Sequence, residues 1–187
     1  DGDGDPDVLT ASLQEGGTDE EAHVAWYAND GDGDFGEQQI IEGAVPQVYW
    51  VRAADLDGDG DADVLAAHFD QVVWFENEGG GTFAAPRGIG VTGTNRGHLD
   101  VADVDGDGDL DVIGALADRV SWFENAGDGV FSDERVIDDD EALTTVTSVR
   151  AADLDGDGDL DVVAGGFLDA DDVQFDTAVM WYENLRF

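Results

Sequence analysis

The chain has 187 residues, 42% of them hydrophobic, which is enough for one domain with a buried core. Its 46 acidic residues outnumber seven arginines, with no lysine, and give a formal net charge of −39. This charge excludes nucleic acid as a partner, and the lack of an apolar run of roughly 18 residues excludes direct membrane insertion. Such an acidic chain is typical of a protein from a saline environment, where salt screens self-repulsion, or of an acidic secreted protein.

A nine-residue pattern, with aspartate at every odd position and glycine at the fourth and sixth, recurs along the chain. A partial copy, DGDGDPD, occupies residues 1–7, and complete copies occupy residues 55–63 (DLDGDGDAD), 103–111 (DVDGDGDLD) and 153–161 (DLDGDGDLD). Carboxylates at positions 1, 3, 5 and 9, with a backbone carbonyl at position 7, form the oxygen ligand set that Ca²⁺ takes. Ordinary turns do not require five alternating aspartates, and Mg²⁺ demands a tighter octahedral site. The pattern therefore predicts three complete calcium loops and a fourth, partial one.

The residues after each loop decide which kind of calcium site it is. A helical EF-hand needs a bidentate glutamate at position 12, where this chain has Ala66, Gly114 and Ala164. The loops instead run into short β-branched segments that are typical of buried strands. The chain has no cysteine, so cysteine-linked calcium repeats are disfavoured as well.

Each loop begins a unit that repeats the same order of short strands. An aromatic strand follows the loop, and its tryptophan is Trp26, Trp74, Trp122 or Trp181. After the first three comes a Gly-x-Gly-x-Phe turn, then a polar strand and a strand that leads into the next loop. Four short strands in a unit of about 48 residues are typical of a β-propeller. We therefore predict an all-β fold of four-stranded antiparallel blades, with a single domain over residues 1–187 and repeat units at 1–54, 55–102, 103–152 and 153–187.

The number of predicted strands bears on completeness. The pattern holds 14 strands, or three and a half blades, whereas propellers close with about four to eight blades. The chain begins inside a loop pattern and stops where a turn and an outer strand would follow. We therefore expect about 3.5–4 blades of a larger propeller, completed by further blades from the same or another chain. The alternative is a four-bladed ring in which residues 7–9 pair with residues 180–182.

In these loops and in this order of strands, the units resemble FG-GAP/VCBS repeats, the calcium-loop blades of integrin α-subunit propellers and of some fungal and bacterial lectins. The resemblance covers nearly the whole chain, although the FG-GAP string itself is present only loosely, at residues 81–86 (GTFAAP). It implies a propeller whose blades hold calcium in a hairpin loop at the rim. The implied ligands are Asp55, Asp57, Asp59, Asp61, Asp63, Asp103, Asp105, Asp107, Asp109, Asp111, Asp153, Asp155, Asp157, Asp159 and Asp161, with Asp1, Asp3, Asp5 and Asp7 in the partial copy. Of these, the resemblance implies backbone oxygens from Asp61, Asp109 and Asp159.

Aromatic side chains are the candidates for contact with a ligand. The four repeated tryptophans could stack on sugar rings, but their common place on an apolar strand favours the core between blades. Tyr49 and Trp50 lie outside that register and are the better candidates for ligand binding. Residues 29–34 (NDGDGD) resemble a further calcium loop, but their register predicts a hairpin turn. The acidic insertions at residues 13–21 and 168–174 are either binding loops or solvated variable loops.

The sequence favours an extracellular or cell-surface calcium-binding propeller module that recognises a carbohydrate or an extracellular protein, as adhesion modules do. One alternative is the non-catalytic or scaffold propeller of a larger secreted polysaccharide-acting enzyme, and another is a structural spacer in a surface or filament protein. The sequence contains no recognisable nucleophile–base or catalytic-metal pattern, so we expect no enzymatic activity of this chain. The expected location follows from calcium, which reaches useful concentrations outside the cell.

Overall fold

The computed structural model describes residues 1–12, 22–43, 47–68, 71–91, 98–116, 118–138, 143–168 and 176–184. These residues form 14 β-strands, which pair antiparallel into four sheets. No helix that could cross a membrane is found among them. The prediction of an all-β fold is confirmed.

The sheets follow one another along the chain, and within each sheet neighbouring strands are consecutive in sequence. Sheet 1 contains β1 (Val8–Ala11), β2 (His23–Tyr27) and β3 (Gln39–Gly43). Sheet 2 contains β4 (Trp50–Ala54), β5 (Asp63–Ala67), β6 (Val72–Phe75) and β7 (Arg87–Gly90). Sheet 3 contains β8 (His98–Ala102), β9 (Asp111–Leu116), β10 (Arg119–Phe123) and β11 (Arg135–Asp138). Sheet 4 contains β12 (Thr145–Ala152), β13 (Asp161–Phe167) and β14 (Thr177–Tyr182).

Each complete acidic loop joins the first strand of a sheet to the second. The second strands β5 and β9 are buried at every position, because they have a strand on either side and a neighbouring sheet against each face. This burial explains why their sequences are continuous apolar runs and do not alternate. Since β1 follows the partial loop, it takes the place of a second strand. Each predicted repeat unit therefore begins just before the second strand of a sheet, and the first strand of that sheet belongs to the preceding unit.

The hairpin turns after the aromatic strands are also as predicted. Single bridges close them between Asn29 and Phe35, Asn77 and Phe83, and Asn125 and Phe131. In the first, the Asp30 N–H donates to the Asp34 carbonyl at 3.1 Å, as in a turn. Residues 29–34 are therefore a hairpin turn at the same position as its two counterparts.

A ring closed by pairing of its first and last strands is not formed by the described residues. Within them β1 pairs with β2 alone and β14 pairs with β13 alone. Residues 7–9 and 180–182, which the four-bladed alternative would pair, lie at the edges of different sheets. That these sheets belong to a larger propeller stays a prediction.

Apolar clusters fill the spaces between consecutive sheets. Between sheets 2 and 3, Leu65 and Trp74 pack against Leu99 and Phe123. Two further apolar clusters have equivalent places: one joins sheets 3 and 4, and one joins sheets 1 and 2. These side chains come from alternate positions of the strands, so each sheet offers one apolar face to the sheet before it and one to the sheet after it.

Three of the four repeated tryptophans lie in this core, as predicted: Trp26, Trp74 and Trp122 are 6%, 1% and 4% exposed. The indoles of Trp26 and Trp74 lie against Gly81 and Gly129 in the hairpin of the next sheet, where any Cβ would overlap the ring. The prediction is wrong for Trp181, which is 52% exposed. Trp181 lies on the face of sheet 4 that no further sheet covers among the described residues.

An ion-pair ladder connects the first strands of sheets 2, 3 and 4. Asp100 on β8 is buried and accepts from the Arg52 guanidinium on β4. It also accepts from the Ala151 N–H at 2.9 Å and lies 3.4 Å from the Arg150 guanidinium, both on β12. One carboxylate therefore holds three strands of different sheets together without any backbone pairing between them.

The tryptophan–glycine contact predicts that Gly129→Ala lowers the free energy of unfolding by about 1–3 kcal/mol more than Gly33→Ala does. Both glycines have the same hairpin position and positive φ angles of +66° and +93°, so backbone strain is common to both. Only Gly129 has an indole against it, whereas Gly33 has nothing within 4 Å. Urea midpoints of dilute protein would measure the difference, and equal losses would contradict the contact.

The ladder predicts that Asp100→Asn destabilises the fold by about 1–2 kcal/mol, less than for a fully buried pair, because Arg52 and Arg150 are 40% and 59% exposed. The matched control is Asp118→Asn, since Asp118 is 72% exposed and lies 3.8 Å from Arg119. Its loss should stay within about 0.5 kcal/mol. Thermal unfolding of the two variants checks this, and an Asp100→Asn protein as stable as the control would show that the ladder contributes nothing.

Candidate functional site

Each complete loop is held by hydrogen bonds from its own backbone to its aspartates. Asp55 accepts from the N–H groups of Gly58 at 2.8 Å and Gly60 at 3.1 Å. Asp57 and Asp59 each accept from the aspartate N–H two residues on, at 3.2 and 2.9 Å. The same four bonds recur at 2.7–3.2 Å in both other complete loops. The three loops therefore share one geometry.

The last aspartate of each loop is buried and closes it. Asp63 is 0% exposed, and its two oxygens accept from the N–H groups of Leu56 at 2.9 Å and Asn77 at 2.8 Å. The corresponding donors are Val104 and Asn125 for Asp111, and Leu154 and Asn184 for Asp161. Each of these carboxylates therefore joins the start of its loop to the asparagine two residues beyond the aromatic strand.

Burial makes two of these charges unfavourable. It raises the pKa of Asp63 and of Asp111 to about 6, although both carboxylates accept two backbone hydrogen bonds. At Asp161 the hydrogen bond from the Asn184 N–H is the larger effect and lowers the pKa. The difference agrees with the neighbouring Leu154, which is 49% exposed because no further sheet covers it among the described residues.

The aspartate at the third position of two loops also has a raised pKa. Burial raises the pKa of Asp57 and of Asp105, and the charges of the neighbouring carboxylates raise it further. A bound divalent cation would favour the ionised form of every one of these groups. The electrostatics of the loops therefore fit a cation site.

Three carboxylates in each complete loop come together as candidate metal ligands. Their oxygens lie within 4.8 Å of one another in the groups Asp55, Asp57 and Asp63; Asp103, Asp105 and Asp107; and Asp153, Asp155 and Asp161. All nine occupy positions 1, 3, 5 or 9 of the pattern. A set made only of carboxylate oxygens, with room for backbone carbonyls and water, fits Ca²⁺ better than a metal that prefers nitrogen or sulfur.

The partial loop follows the same local pattern. Asp1 and Asp3 accept from the N–H groups of Asp3 and Asp5 at 3.1 and 2.9 Å, and Asp7 accepts from the Asn29 N–H at 2.9 Å. Within the described residues these four carboxylates do not come together as a metal-ligand group. A calcium site in this loop stays a prediction.

The two aromatic ligand candidates lie at the start of sheet 2. Trp50 begins β4, is partly buried against the cluster between sheets 2 and 3, and has its ring centroid 5.8 Å from that of His98. The hydroxyl of Tyr49, which is also partly buried, donates to Gln47. His98 Nδ1 is buried without a hydrogen-bond partner, and burial lowers the pKa of this imidazole.

Trp50 and His98 adjoin the ion-pair ladder, because each lies two residues before a ladder residue on the same strand, Arg52 or Asp100. Elsewhere in the described part of the chain, Arg87, Arg119 and Arg135 each have a glutamate partner of their own. At Asp100 two guanidinium groups share one carboxylate, so this place has a local excess of positive charge within a strongly acidic protein. We call Trp50, Arg52, His98, Asp100 and Arg150 the first-strand cluster.

Sequence reasoning did not identify two features of these sites. The first feature is the ion-pair ladder. Arg52, Asp100 and Arg150 each lie three residues before a complete loop, and this shared position in the repeat was the signal that could have predicted their contact. The asparagines after the aromatic strands were the second feature. Asn125 Nδ2 donates to the carbonyl of Leu56 in the preceding sheet's loop at 2.7 Å, and Asn184 Nδ2 donates likewise to Val104 at 2.9 Å. The acidic insertions at residues 13–21 and 168–174 lie almost entirely outside the described residues.

Comparison with solved structures places the fold. An Agrocybe aegerita lectin, described as recognising non-reducing terminal N-acetylglucosamine, is similar over 86% of this chain with 24% identity and a TM-score of 0.53. The pore of the Photorhabdus luminescens Tc holotoxin is similar over 86% of this chain with 23% identity and a TM-score of 0.51. The chain spans only 46% and 8% of those two chains. At these identities the likeness concerns the fold alone, a β-propeller.

The sequence comparison is more specific. No curated protein matches the chain. The pattern of the FG-GAP-like repeat, in contrast, matches residues 1–66, 55–114 and 103–164, three overlapping stretches that each contain acidic loops and the strands around them. The loops, the strand order and these matches agree, and the chain belongs to the FG-GAP-like repeat family.

Proposed function

We propose that this chain is a calcium-stabilised recognition module that works outside the cell, binds a carbohydrate or a protein partner, and performs no catalysis of its own. The observation that carries the proposal is the common geometry of the three complete loops. In each, three carboxylates come within 4.8 Å of one another around a turn that the loop's own backbone holds.

Calcium supplies the charge that these loops lack. The loops at 55–63, 103–111 and 153–161 each contain five aspartates, and neighbouring carboxylates repel one another unless a cation lies between them. Extracellular loops of moderate affinity bind at roughly 0.1–1 mM, and ligand at a hundredfold excess over its dissociation constant stabilises a fold by about 2.7 kcal/mol per site. Three such sites contribute as much as the stability of a typical domain, about 5–15 kcal/mol. Calcium is then part of the fold.

The first-strand cluster supports recognition of a carbohydrate. Sugar sites combine an aromatic face with a few fixed polar groups, and Trp50 lies beside His98 and the partly exposed Arg52. The Agrocybe aegerita lectin with a similar fold is described as recognising non-reducing terminal N-acetylglucosamine, which makes that sugar a reasonable first probe. A binding screen would separate carbohydrate recognition from three other outcomes: a protein partner, a scaffold role in a larger secreted polysaccharide-acting enzyme, and a spacer role.

The calcium proposal predicts that a chelator lowers the melting temperature sharply at low ionic strength. Calorimetric titration of the chelated protein with Ca²⁺ should give about three sites, and Asp105→Asn should remove one of them. Asp133→Asn is the matched control, because Asp133 is an exposed aspartate outside the loops. An unchanged melting curve in EDTA, for protein shown beforehand to contain calcium, would refute the proposal.

The carbohydrate proposal predicts binding on a glycan array in the presence of Ca²⁺. Trp50→Ala should weaken binding about two- to tenfold, because losing one aromatic contact costs roughly 0.5–1.5 kcal/mol. Phe35→Ala is the control, since Phe35 is 52% exposed and lies on the hairpin of sheet 1, whereas Trp50 lies in sheet 2. Melting curves must show that both variants fold. Sugar binding that Trp50→Ala leaves unchanged would place the ligand elsewhere, and turnover of a polysaccharide by this chain alone would contradict the absence of catalysis.

A further inference from the structure

Two buried asparagines connect the three complete acidic loops to one another. Asn125 donates from its backbone N–H to Asp111, the ninth residue of its own loop, at 2.8 Å. Its side-chain Nδ2 donates to the carbonyl of Leu56 in the loop of sheet 2 at 2.7 Å. Leu56 is the second residue of that loop, and its own N–H donates to Asp63 at 2.9 Å. One asparagine therefore joins the buried aspartates of two neighbouring loops.

Asn184 repeats this connection between sheets 3 and 4. Its N–H donates to Asp161 at 2.9 Å, and its Nδ2 donates to the carbonyl of Val104 at 2.9 Å. The N–H of Val104 in turn donates to Asp111 at 3.0 Å. The hydrogen bonds thus form an unbroken series from the loop of sheet 2 to the loop of sheet 4, through the two asparagines.

Burial makes the first of these connections stiff. Asn125 is 0% exposed and Leu56 is 2% exposed, so water does not replace the bond between them when it breaks. A buried carbonyl without a donor is costly, and the bond is therefore kept when either loop moves. A shift of the loop backbone at Leu56 is then passed to Asn125 and from there to Asp111.

Asn77 provides a comparison within the same chain. Its N–H donates to Asp63 at 2.8 Å, its Nδ2 to the carbonyl of Ala62 at 3.1 Å, and its Oδ1 accepts from the Gly79 N–H at 3.1 Å. Asn125 makes the corresponding three bonds in its own sheet and, in addition, the bond to the preceding loop. Among the bonds that join described residues, this additional one distinguishes the two asparagines.

We propose that Asn125 and Asn184 are positioning residues that couple calcium binding between neighbouring loops. The inference rests on the calcium binding proposed above. Calcium in one loop fixes the aspartates on either side of the loop's second residue, and hence the carbonyl to which the next asparagine donates. That asparagine then holds the ninth aspartate of its own loop in place, so the neighbouring loop has less freedom to lose when calcium binds. The coupling is reciprocal, because binding free energies around a closed cycle must agree.

One backbone amide in each loop reports whether calcium is bound there. The N–H groups of Gly60, Gly108 and Gly158 donate to the first aspartate of their loops at 3.1, 3.1 and 3.2 Å, so their NMR signals should shift when calcium binds that carboxylate. The isotope-labelled chain, freed of metal by a chelator, is titrated with Ca²⁺ in about 1 M salt. There the Debye length is about 3 Å, so the charge of one loop has little effect on the next.

A cycle of variants measures the coupling between the loops at 55–63 and 103–111. Asp105→Asn empties the middle loop and should raise the calcium concentration at which Gly60 responds by about fivefold or more. In the background of Asn125→Ala the same change should have an effect of about twofold at most. Asn77→Ala is the matched control, because it removes the bonds within one sheet but none between loops, and the effect of about fivefold should persist in it.

The same cycle applies to the loop at 153–161, with Gly158 as the reporter and Asn184→Ala as the uncoupling variant. This second cycle decides the proposal if circular dichroism shows that Asn125→Ala does not fold. Emptying the middle loop should weaken calcium binding at 153–161 in the unmodified background and leave it nearly unchanged in Asn184→Ala.

Two results would overturn the proposal while calcium binding itself stands. All three amides could respond to calcium, with the Gly60 response unaffected by Asp105→Asn, which would show that the loops bind independently. The effect of Asp105→Asn could also persist undiminished in a folded Asn125→Ala chain, which would assign the coupling to folding of the whole chain. A titration in which none of the three amides responds would instead contradict calcium binding in the loops, and this inference with it.

Discussion

The structure depends on one buried carboxylate per blade, at the ninth position of the acidic loop. In sheets 2, 3 and 4, Asp63, Asp111 and Asp161 each accept one hydrogen bond from the start of the loop and one from the asparagine two residues beyond the aromatic strand. A buried carboxylate is tolerated only when such donors surround it. The loop, the second strand and the hairpin beyond the third strand are therefore positioned relative to one another by the same side chain, and the five-aspartate loop acquires a fixed shape.

Recurring asparagine and tryptophan positions of the repeat connect neighbouring blades. In sheets 3 and 4, the asparagine whose N–H reaches the buried aspartate also donates from its side chain to the loop of the preceding sheet, as Asn125 does to Leu56. The tryptophan three residues before it in sequence packs against the hairpin glycine of the following sheet, as Trp74 does against Gly129. Each blade is thus joined to its neighbours through the same few positions. The outer blades expose those positions because no described neighbour covers them.

Much of the architecture could be predicted from the sequence, because the loop pattern, the buried strands and the aromatic strands recur in register. The strand number, the hairpin at residues 29–34 and the grouping of carboxylates all follow from that register. The exposure of Trp181 could not be predicted from its motif, since burial depends on whether another sheet packs against it. The ladder of Arg52, Asp100 and Arg150 was missed because opposite charges at one register position look unrelated until neighbouring sheets bring them together.

Anomalous X-ray diffraction from crystals grown in Ca²⁺ tests directly whether the three complete loops bind calcium. We expect one anomalous peak in each of the loops at 55–63, 103–111 and 153–161, about 2.3–2.6 Å from the carboxylate oxygens of the grouped aspartates. Loops that keep the same hydrogen bonds but show no peak at saturating calcium would contradict it. The aspartates would then act only as turn-forming residues.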